Sequence, residues 1–537
     1  IDKAIHFFTV AANNKDVISM NNLGIIYLTG EYVRPDIDKG LYYIRMAANL
    51  NYEKSLFFLG DIYYKGKYVN RDIKKAINYF LLASRHNYSD AYNSLGNIYS
   101  DGKYISININ KAIKYYKMAS DLNNIGAQFN LGLLYGEGKY VQTDVKKAIY
   151  YFTLAANQND IDSQIILGLI YSNGIYIPID IYKAKYYFTL AANQNSPLAQ
   201  LYLGNLYYNN SDIKKAIHYS TLAADQNNAE AQLLLAIIYG SNKFIQLDFN
   251  KAMHYLQLSA DRNNSAAQYA LGKLYIGRDN NKAIYYLTLS AKKNYGEAQF
   301  FLYKYLYKEH PSKAIYWLKE SAKNRNMPSF FTLGFMYENG INMKRDVHQA
   351  IHYYKEASSL NDYQAKNNLG IIYRSGNDVE KNIGLAIEYF KEAIRQKNDF
   401  TSKLNLAITY IYDLNDIDSS FELLFDLYRN NFQYSYDLLY LVLYKKYQSD
   451  FFQMKKEIDK YTTDSDQLIY TMQIIIIQRN WYNQFSFDVD FEKYRYYLFQ
   501  HSPCEVRVEK SEQEKSPKNI TSIFYEGFGH DLLAEIQ

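Results

Sequence analysis

The chain has 537 residues, of which 48% are hydrophobic and 21% are charged, a composition too apolar for a disordered chain. Its 60 basic and 55 acidic residues leave a net charge of +5, which is too dilute to attract polyanions, so no nucleic acid partner is expected. The single cysteine, Cys504, excludes an internal disulfide framework and a Cys-based zinc site. The longest apolar stretch, Met472 to Ile477, is far shorter than the roughly 18 residues of a membrane span, so no span is expected.

The sequence begins with Ile1 and not with Met, in the middle of a unit that recurs along the chain. We therefore expect it to be part of a longer protein. A signal peptide or a whole domain could precede it, so these residues do not fix the compartment, although we favour the cytoplasm.

A Leu-Gly pair marks the recurring unit, and we call its glycine position the slot. Slot glycines follow one another every 36 residues from Gly24 to Gly204, and a tyrosine stands three residues after the slot in all units but one. A fixed period of this length is the signature of a helical repeat array. Twelve slots can be aligned: Gly24, Gly60, Gly96, Gly132, Gly168, Gly204, Ala236, Gly272, Tyr303, Gly334, Gly370 and Ala407.

A second glycine, six residues after the slot, predicts where the first helix of each unit ends. Gly30 and Gly138 are examples of this glycine, and Asn210 and Asn242 replace it in two units. Glycine and asparagine are the residues that most readily adopt left-handed backbone geometry. We therefore predict a left-handed end for this helix, helix A, in every unit.

An Asp-x-x-x-Ala pattern after a short loop predicts the start of a second helix, helix B. Asp144 to Ala148 is an example, in which the carboxylate would accept hydrogen bonds from first-turn amides. Helix B then carries paired aromatics such as Tyr151-Phe152 and small pairs such as Ala155-Ala156. Neither helix can bury its apolar face alone, so neighbouring units must stack.

Length changes between units fall in the loop that joins helices A and B. The distance from the slot to the first alanine of helix B is 16 residues in most units, but 12 from Gly204 to Ala216 and 11 from Gly272 to Ala283. A stacked array tolerates length changes only in its loops. We therefore predict locally shortened loops near residues 205–315.

The motif Ala-x-x-x-Leu-Gly-x-x-Tyr-x-x-Gly, a loop, Asp-x-x-Lys-Ala, two aromatics and Ala-Ala resembles the Sel-one-like repeat, a relative of the tetratricopeptide repeat. The clearest copy is 127–138 followed by 144–156. The resemblance implies an all-α fold, a right-handed α/α superhelix (solenoid) of about twelve helix-pair repeats. It also implies an adaptor or scaffold role and no catalytic residue. Larger residues replace the slot glycine at Ala236, Tyr303 and Ala407, where we expect looser or kinked packing.

The repeat pattern divides the chain into three parts. Residues 1–410 form the array, whose first repeat is truncated. Residues 411–500 keep apolar residues at helical spacing but lack the Leu-Gly and Ala-Ala pairs, which predicts a divergent helical cap. Residues 501–537 are predicted to be a mostly disordered tail.

No constellation of residues indicates catalysis, a metal or a cofactor. His348 and His352 are spaced to share a metal, but no HExxH motif is present and solvated helix histidines are ordinary. Gly136-Glu137-Gly138 follows a helix and lacks a phosphate-loop signature, so we interpret it as the repeat's helix end. The sequence predicts a protein that is not an enzyme and that holds no cofactor.

One face of helix A varies from unit to unit, and we call it the A-face. It comprises the positions three and two residues before the slot and one and four residues after it, opposite the positions that hold alanine, leucine and tyrosine. Amides and aromatics alternate there, a combination suited to gripping an extended peptide. An equally acceptable interpretation is that these side chains pack against neighbouring units. The candidate protein-binding residues are Asn21, Asn22, Phe57, Phe58, Tyr64, Asn93, Asn97, Phe129 and Asn130.

These patterns predict a non-catalytic scaffold or adaptor that binds proteins or extended peptide segments on a concave A-face. The alternative is a regulatory arm of a larger enzyme, for example a kinase-like one, whose catalytic domain is encoded upstream of Ile1. A membrane quality-control adaptor is a third hypothesis, which would require an anchor elsewhere in the protein. Partner identity and oligomeric state do not follow from the sequence.

Overall fold

The computed structural model describes residues 2–31, 33–241 and 246–430, together with single positions between 432 and 458. Every long regular element in these residues is an α-helix, and no strand occurs among them. The helices are divided between two compact units, the first of which ends at Leu258 and the second of which begins at Ser259. The predicted all-α class and the array of helix pairs are confirmed.

The first unit contains an unpaired B helix followed by seven A and B pairs. Its A helices are α2 (Val17–Thr29), α4 (Glu53–Lys65), α6 (Ser89–Asp101), α8 (Ile125–Glu137), α10 (Ile161–Asn173), α12 (Pro197–Asn209) and α14 (Ala229–Gly240). Its B helices are α1 (Asp2–Asn13), α3 (Ile37–Asn49), α5 (Ile73–Ser84), α7 (Ile109–Asp121), α9 (Val145–Ala156), α11 (Ile181–Asn193), α13 (Ile213–Asp225) and α15 (Phe249–Asp261).

The second unit continues the same alternation with five pairs. Its A helices are α16 (Ser265–Tyr275), α18 (Gly296–Leu306), α20 (Met327–Asn339), α22 (Tyr363–Ser375) and α24 (Phe400–Tyr412). Its B helices are α17 (Asn280–Lys292), α19 (Pro311–Lys323), α21 (Val347–Ser359), α23 (Ile383–Lys397) and α25 (Ile417–Arg429). Pairing of α24 with α25 extends the helix-pair pattern past residue 410. Most of the predicted cap over 411–500 and all of the predicted tail over 501–537 lie outside the described residues.

The A helices end as predicted wherever the glycine is present. Gly30, Gly138 and Gly340, for example, have φ of 69°, 68° and 68°. The prediction was wrong at Asn210, whose φ is −89° and whose Nδ2 instead donates to the carbonyl oxygen of Leu206 (2.6 Å). The shortened loop there moves the left-handed residue to Ser211, with φ of 61°. Asn242 lies outside the described residues.

The B helices begin at the predicted aspartates. Asp72, Asp144 and Asp346 each accept a hydrogen bond from the backbone N–H three residues later, at 3.0 Å. These bonds satisfy first-turn donors that have no partner within the helix. An Asp cap therefore fixes where helix B leaves the loop.

The turn from each B helix to the next A helix contains a left-handed residue that the sequence analysis missed. This residue is an asparagine in most units, for example Asn123 and Asn159 with φ of 59° and 65°. Asparagine tolerates this geometry better than other residues with a side chain. Recurrence of Asn at a fixed place after the Ala-Ala pair was the available signal.

The slot glycine brings helix A against a large side chain of its own B helix. A Cβ added at Gly60, Gly132 or Gly334 would lie 2.7, 2.6 and 2.7 Å from the ring of Phe80, Phe152 or Tyr354. The repeat therefore requires glycine because the ring occupies the space of a side chain. The rings themselves are at most 2% exposed.

Where the slot is not glycine, the facing position of helix B carries a smaller side chain than a ring. Ala236 corresponds to Leu256, and Ala407 corresponds to Leu424. All four side chains are fully buried. Tyr303 shares a core cluster with Leu318. A smaller facing side chain is not confined to these units, because a Cβ added at the slot Gly272 would lie 2.6 Å from Cγ of Leu287.

Candidate protein-binding surface

The A-face has the predicted orientation in the repeat centred on Gly96. Ala91, Leu95 and Ile98 of α6 are buried in the core, whereas Asn93 is half-buried and Asn97 is exposed. The face is not uniformly open, because A helices of successive units approach each other closely. Its side chains therefore contact those of the next unit as well as solvent.

Three of the predicted asparagines form one polar cluster between α6 and α8. Nδ2 of Asn130 donates to Oδ1 of Asn93 (3.2 Å) and to Oδ1 of Asn97 (3.0 Å). The hydroxyl of Tyr116 also donates to Oδ1 of Asn97 (2.8 Å) and lies 2.9 Å from Oγ of Ser100. The ring of Tyr116 faces the slot Gly96, so its hydroxyl reaches the A-face from the side of helix B. We call these five residues the amide cluster.

Asn21 has a different environment from the amide cluster. Its side chain is 7% exposed, and its Oδ1 accepts a hydrogen bond from the buried hydroxyl of Ser55 (2.8 Å). The adjacent Asn22 is half-buried. Asn21 therefore joins two repeats and is not open to a ligand.

The predicted aromatic residues are anchored to neighbouring side chains. Phe57 packs with ring-centroid distances of 5.5 Å to Phe80 and 5.2 Å to Tyr88, and Phe58 is partly buried against the same core. Phe129 meets Phe152 edge to face at 5.8 Å. All three rings are half-buried, so each ring packs against neighbouring side chains and also presents part of its surface to solvent.

Tyr64 lies at the end of α4 and contacts the following unit. Its hydroxyl donates to Oδ2 of Asp101 (3.1 Å), and its ring meets Tyr104 edge to face at 5.7 Å. Burial, followed by the nearby negative charge of Asp101, raises the pKa of Tyr64 to about 12. The phenol therefore remains a neutral hydrogen-bond donor at physiological pH.

An amide pair like that of the first unit occurs in the second unit, and the sequence analysis missed it. Nδ2 of Asn405 donates to Oδ1 of Asn367 (2.9 Å), and both side chains are buried. Both pairs have the same spacing relative to the slots. Asn93 and Asn367 lie three residues before one slot, and Asn130 and Asn405 lie two residues before the next slot. That spacing was a signal in the sequence.

The tyrosine three residues after the slot forms a second repeated contact, away from the A-face. Tyr63 stacks on Tyr79 of helix B at 5.6 Å with an interplanar angle of 6°, and the ammonium of Lys75 lies 5.3 Å from the Tyr63 ring centroid. Lys147 and Tyr135 repeat the arrangement at 5.2 Å. Lys75 and Lys147 are each the second residue of a Lys-Lys pair on the first turn of helix B, and each is exposed but also covers a tyrosine ring.

Buried glutamines four residues before the slot link successive B helices. Nε2 of Gln164 donates to the carbonyl oxygen of Ala156 (3.1 Å), and Oε1 of Gln164 accepts from Nε2 of Gln194 (2.9 Å). Gln128 accepts from Gln158 in the same way (2.8 Å). These side chains provide hydrogen bonds to backbone carbonyl groups at helix ends inside the array. Their recurrence was a signal in the sequence that the sequence analysis did not use.

A groove of about 680 Å³ separates α23 from α25, with Leu406 and Tyr410 of α24 at its base. Its rim carries charges of both signs, from Glu388, Lys391 and others. It is lined mainly by B helices and contains none of the predicted binding residues. The groove therefore does not extend the A-face.

The described residues were compared with the requirements of a metal site and of a membrane-spanning helix. Within residues 2–430, apart from the gaps, no three His, Cys, Asp or Glu side chains are grouped closely enough to hold a metal ion. His352 is exposed and packs against Tyr353 at a ring-centroid distance of 5.2 Å. No helix of this part of the chain has the length and apolar character needed to cross a membrane.

Comparison with known families finds repeats along most of the helix pairs. The Sel1 repeat profile matches eleven segments, which begin at the A helices α2 to α16 and continue through most of the second unit. The chain belongs to the Sel1-repeat family. Sel1-repeat proteins are generally scaffolds for protein interactions, as the sequence analysis expected. The matched segments are 17–52, 54–88, 89–124, 125–160, 161–196, 197–228, 229–264, 265–295, 308–326, 331–362 and 364–398.

Solved structures of other Sel1-repeat proteins are similar to this one. A protective antigen of uropathogenic Escherichia coli strains, which displays the same repeat fold, is 24% identical with a TM-score of 0.53, over 78% of this chain and 93% of the antigen. A Sel1 repeat protein from Oxalobacter formigenes is also 24% identical, with a TM-score of 0.43 over 62% of this chain and 90% of that protein. The first of these likenesses supports the fold. No curated protein matches the chain in sequence.

Proposed function

We propose that this Sel1-repeat protein is a non-catalytic adaptor that holds extended segments of other proteins against the A-face of its first unit. The amide cluster carries the proposal. An extended peptide backbone needs both hydrogen-bond donors and acceptors, and an asparagine side chain provides both. Anchored aromatics beside the cluster would supply apolar contact area.

The side chains of the amide cluster are oriented before any partner arrives. Oδ1 of Asn97 accepts from Tyr116 and Asn130, which fixes the direction of its amide plane. Within the described residues, the Nδ2 group of Asn97 donates no hydrogen bond, and the side chain is exposed. A fixed donor group lowers the entropy that binding costs.

A displayed library of random twelve-residue peptides, selected on the full chain, provides ligands for the test. We expect Asn97→Ala to weaken the selected peptides about tenfold, the effect of losing roughly 1.4 kcal/mol of binding free energy. The triple change of Asn93, Asn97 and Asn130 to Ala should weaken them further. Fluorescence anisotropy gives the affinities.

Asn78→Ala is the matched control, because Asn78 is an exposed asparagine on the B helix α5 of the same unit. Its affinity and melting temperature should equal those of the unchanged chain. Peptides that bind the Asn97 variant and the control equally well would exclude the amide cluster as the binding site.

A further inference from the structure

The loop between α10 and α11 presents large apolar side chains to solvent. The exposed fractions are 72% for Ile175, 56% for Tyr176, 58% for Ile179 and 88% for Tyr182. Tyr182 is on the first turn of α11, directly after the loop. We call these four residues the loop patch. Such a concentration of exposed apolar side chains in one loop usually marks a contact surface.

Two loops of other repeats contact the loop that follows. The guanidinium of Arg71 lies 4.9 Å from the ring centroid of Tyr104 in the next loop. In the second unit, Nη1 of Arg345 donates to Oδ1 of Asp378 in the next loop (2.8 Å). Each of these A–B loops therefore has a neighbour on the side of the following repeat.

The loop patch lacks this neighbour because the next repeat has almost no loop. Helix α12 ends at Asn209 and α13 begins at Ile213, so only three residues join them. In contrast, seven residues join α10 at Asn173 to α11 at Ile181. The short connection offers the loop patch no counterpart of the contacts of Arg71 or Arg345, and we call the space on this side of the loop patch the notch.

The loop patch is held rigidly in its exposed position. Gly174 has φ of 67°, and a Cβ added there would lie 2.8 Å from Cγ1 of Ile179, so the Ile179 side chain packs over the helix end. The backbone N–H of Asp180 donates to the carbonyl oxygen of Tyr171 (2.8 Å), and that of Ile175 donates to Oδ1 of Asn173 (3.1 Å). Binding to an apolar surface that is already ordered costs little conformational entropy.

The border of the notch has a net charge of +2, and two of its lysines are paired with cap aspartates. Nζ of Lys183 lies 3.6 Å from Oδ2 of Asp180, and Nζ of Lys215 lies 3.3 Å from Oδ2 of Asp212. Residues 174–216 contain four lysines and two aspartates, and both aspartates cap helices. Lys214 is exposed at the position of α13 that corresponds to Tyr182 of α11. The side chains of Lys183 and Lys215 are both 58% exposed. An incoming segment would therefore meet apolar side chains first and positive charge next to them.

We propose that the notch binds a short segment of another protein in which large apolar residues are followed by acidic residues. The apolar residues would cover the loop patch in place of the missing loop. The acidic residues would face Lys214 and would compete with Asp180 and Asp212 for Lys183 and Lys215, because exposed ion pairs of this kind are weak. This surface is separate from the amide cluster, which lies on α6 and α8. Loss of binding at one surface therefore leaves the other testable.

The probe for this site is a fluorescein-labelled peptide in which Leu, Trp and Leu precede four acidic residues. We expect it to bind the full chain, with an affinity that falls as salt rises. A peptide with four lysines in place of the acidic residues should not bind. A peptide with glycines in place of the apolar residues should bind at least tenfold more weakly.

Two kinds of variant locate the bound probe. Ile175→Ser and Tyr182→Ser remove exposed side chains and should each weaken binding about tenfold. Tyr42→Ser, which removes a ring that is 58% exposed on α3, should not. Inserting four residues after Asn210, which restores the usual loop length, should cover the loop patch and abolish binding. Melting curves establish that each variant is folded.

The proposal is overturned if the acidic probe does not bind, or if the loop-patch variants bind it as well as Tyr42→Ser does. Sedimentation of the full chain provides a further measurement. A dimer that Ile175→Ser dissociates would assign the loop patch to a second copy of the chain and would contradict the acidic partner.

Discussion

At the scale of single residues, the slot decides how closely each A helix approaches its B helix. Gly132 lies against the ring of Phe152, whereas Gly136, one turn later on the same helix, has only the Cβ of Ala148 within 4 Å of an added Cβ, at 3.7 Å. The two glycines therefore have opposite reasons for being in α8. One is required by packing, and the other only lowers helix propensity.

Gly132→Ala should lower the free energy of unfolding by about 1–3 kcal/mol, because the new methyl group forces the Phe152 ring to move. Gly136→Ala should raise it by about 0.5–1 kcal/mol through helix propensity. Urea unfolding followed by circular dichroism measures both. Equal effects of the two substitutions would show that the ring does not restrict the slot.

The buried glutamines permit a similar comparison. Gln164→Leu removes two hydrogen bonds and leaves the Ala156 carbonyl without this donor, so we expect a loss of about 1–3 kcal/mol. Gln232 donates to Ala224 in the same way (3.2 Å), but its buried Oε1 has no partner. Gln232→Leu should therefore cost less. A larger loss for Gln232→Leu in the same unfolding experiment would contradict the proposed role of the second bond.

At the scale of elements, carboxylates fix where helices begin and link one helix to another. The hydrogen bond from the backbone N–H of Lys75 lowers the pKa of Asp72. Burial alone would raise the pKa of Asp413, but its bonds to Lys381 and Arg374 outweigh burial and lower the pKa. A carboxylate with a lowered pKa stabilises the folded state above its ordinary pKa, and this contribution is lost as the pH falls through the folded-state pKa.

The stability of the protein should therefore fall as the pH decreases below about 4, the ordinary pKa of aspartate. Asp413→Asn should be about 2 kcal/mol less stable than the unchanged chain at pH 7, because two cations lose a charged partner. Acidification should lower the stability of Asp413→Asn by less than it lowers the stability of the unchanged chain. Urea midpoints at pH 7, 4 and 3 test this, and parallel losses in both proteins would exclude Asp413 as a contributor.

Most of the elements could be predicted from the sequence because their ends depend on local residues. Glycine after helix A and aspartate before helix B act within one turn, and the structure places both as expected. The failure at Asn210 arose because a shortened loop moved the left-handed position to Ser211, which the residue type alone does not indicate. The bonds that Asn130 donates to Asn93 and Asn97 join residues more than 30 positions apart and depend on how two repeats meet.

The loop patch is a second feature that the sequence predicted only in part. The sequence predicted the shortened loop after Gly204, but the analysis did not connect it with the exposed side chains of the preceding repeat. The position of Ile175 is exposed in other repeats as well, where Lys103 and Lys139 occupy it, so an apolar residue at a lysine position was the available signal. The site residues Asn93, Asn97 and Asn130 were predicted together, whereas Asn21 proved to be buried.

At the scale of the whole molecule, stability in a repeat array is shared between neighbouring repeats. Deleting residues 125–160, one complete repeat, should therefore leave a folded protein with unchanged ellipticity per residue, because α6 and α7 then meet the equivalent surfaces of α10 and α11. Deleting only α8 should not, since it would place two B helices in succession. Circular dichroism and thermal melting distinguish the two deletions. Equal disruption by both would contradict interchangeable repeats.

The proposed adaptor function predicts which side of the repeats contacts a partner. A photo-cross-linking residue can be placed at Ser94, on the A-face of α6, or at Lys114, which is exposed on the B helix α7 of the same repeat. Neither side chain takes part in the amide cluster. With a peptide selected on the full chain, position 94 should cross-link and position 114 should not. Cross-linking from position 114 alone would contradict binding on the A-face.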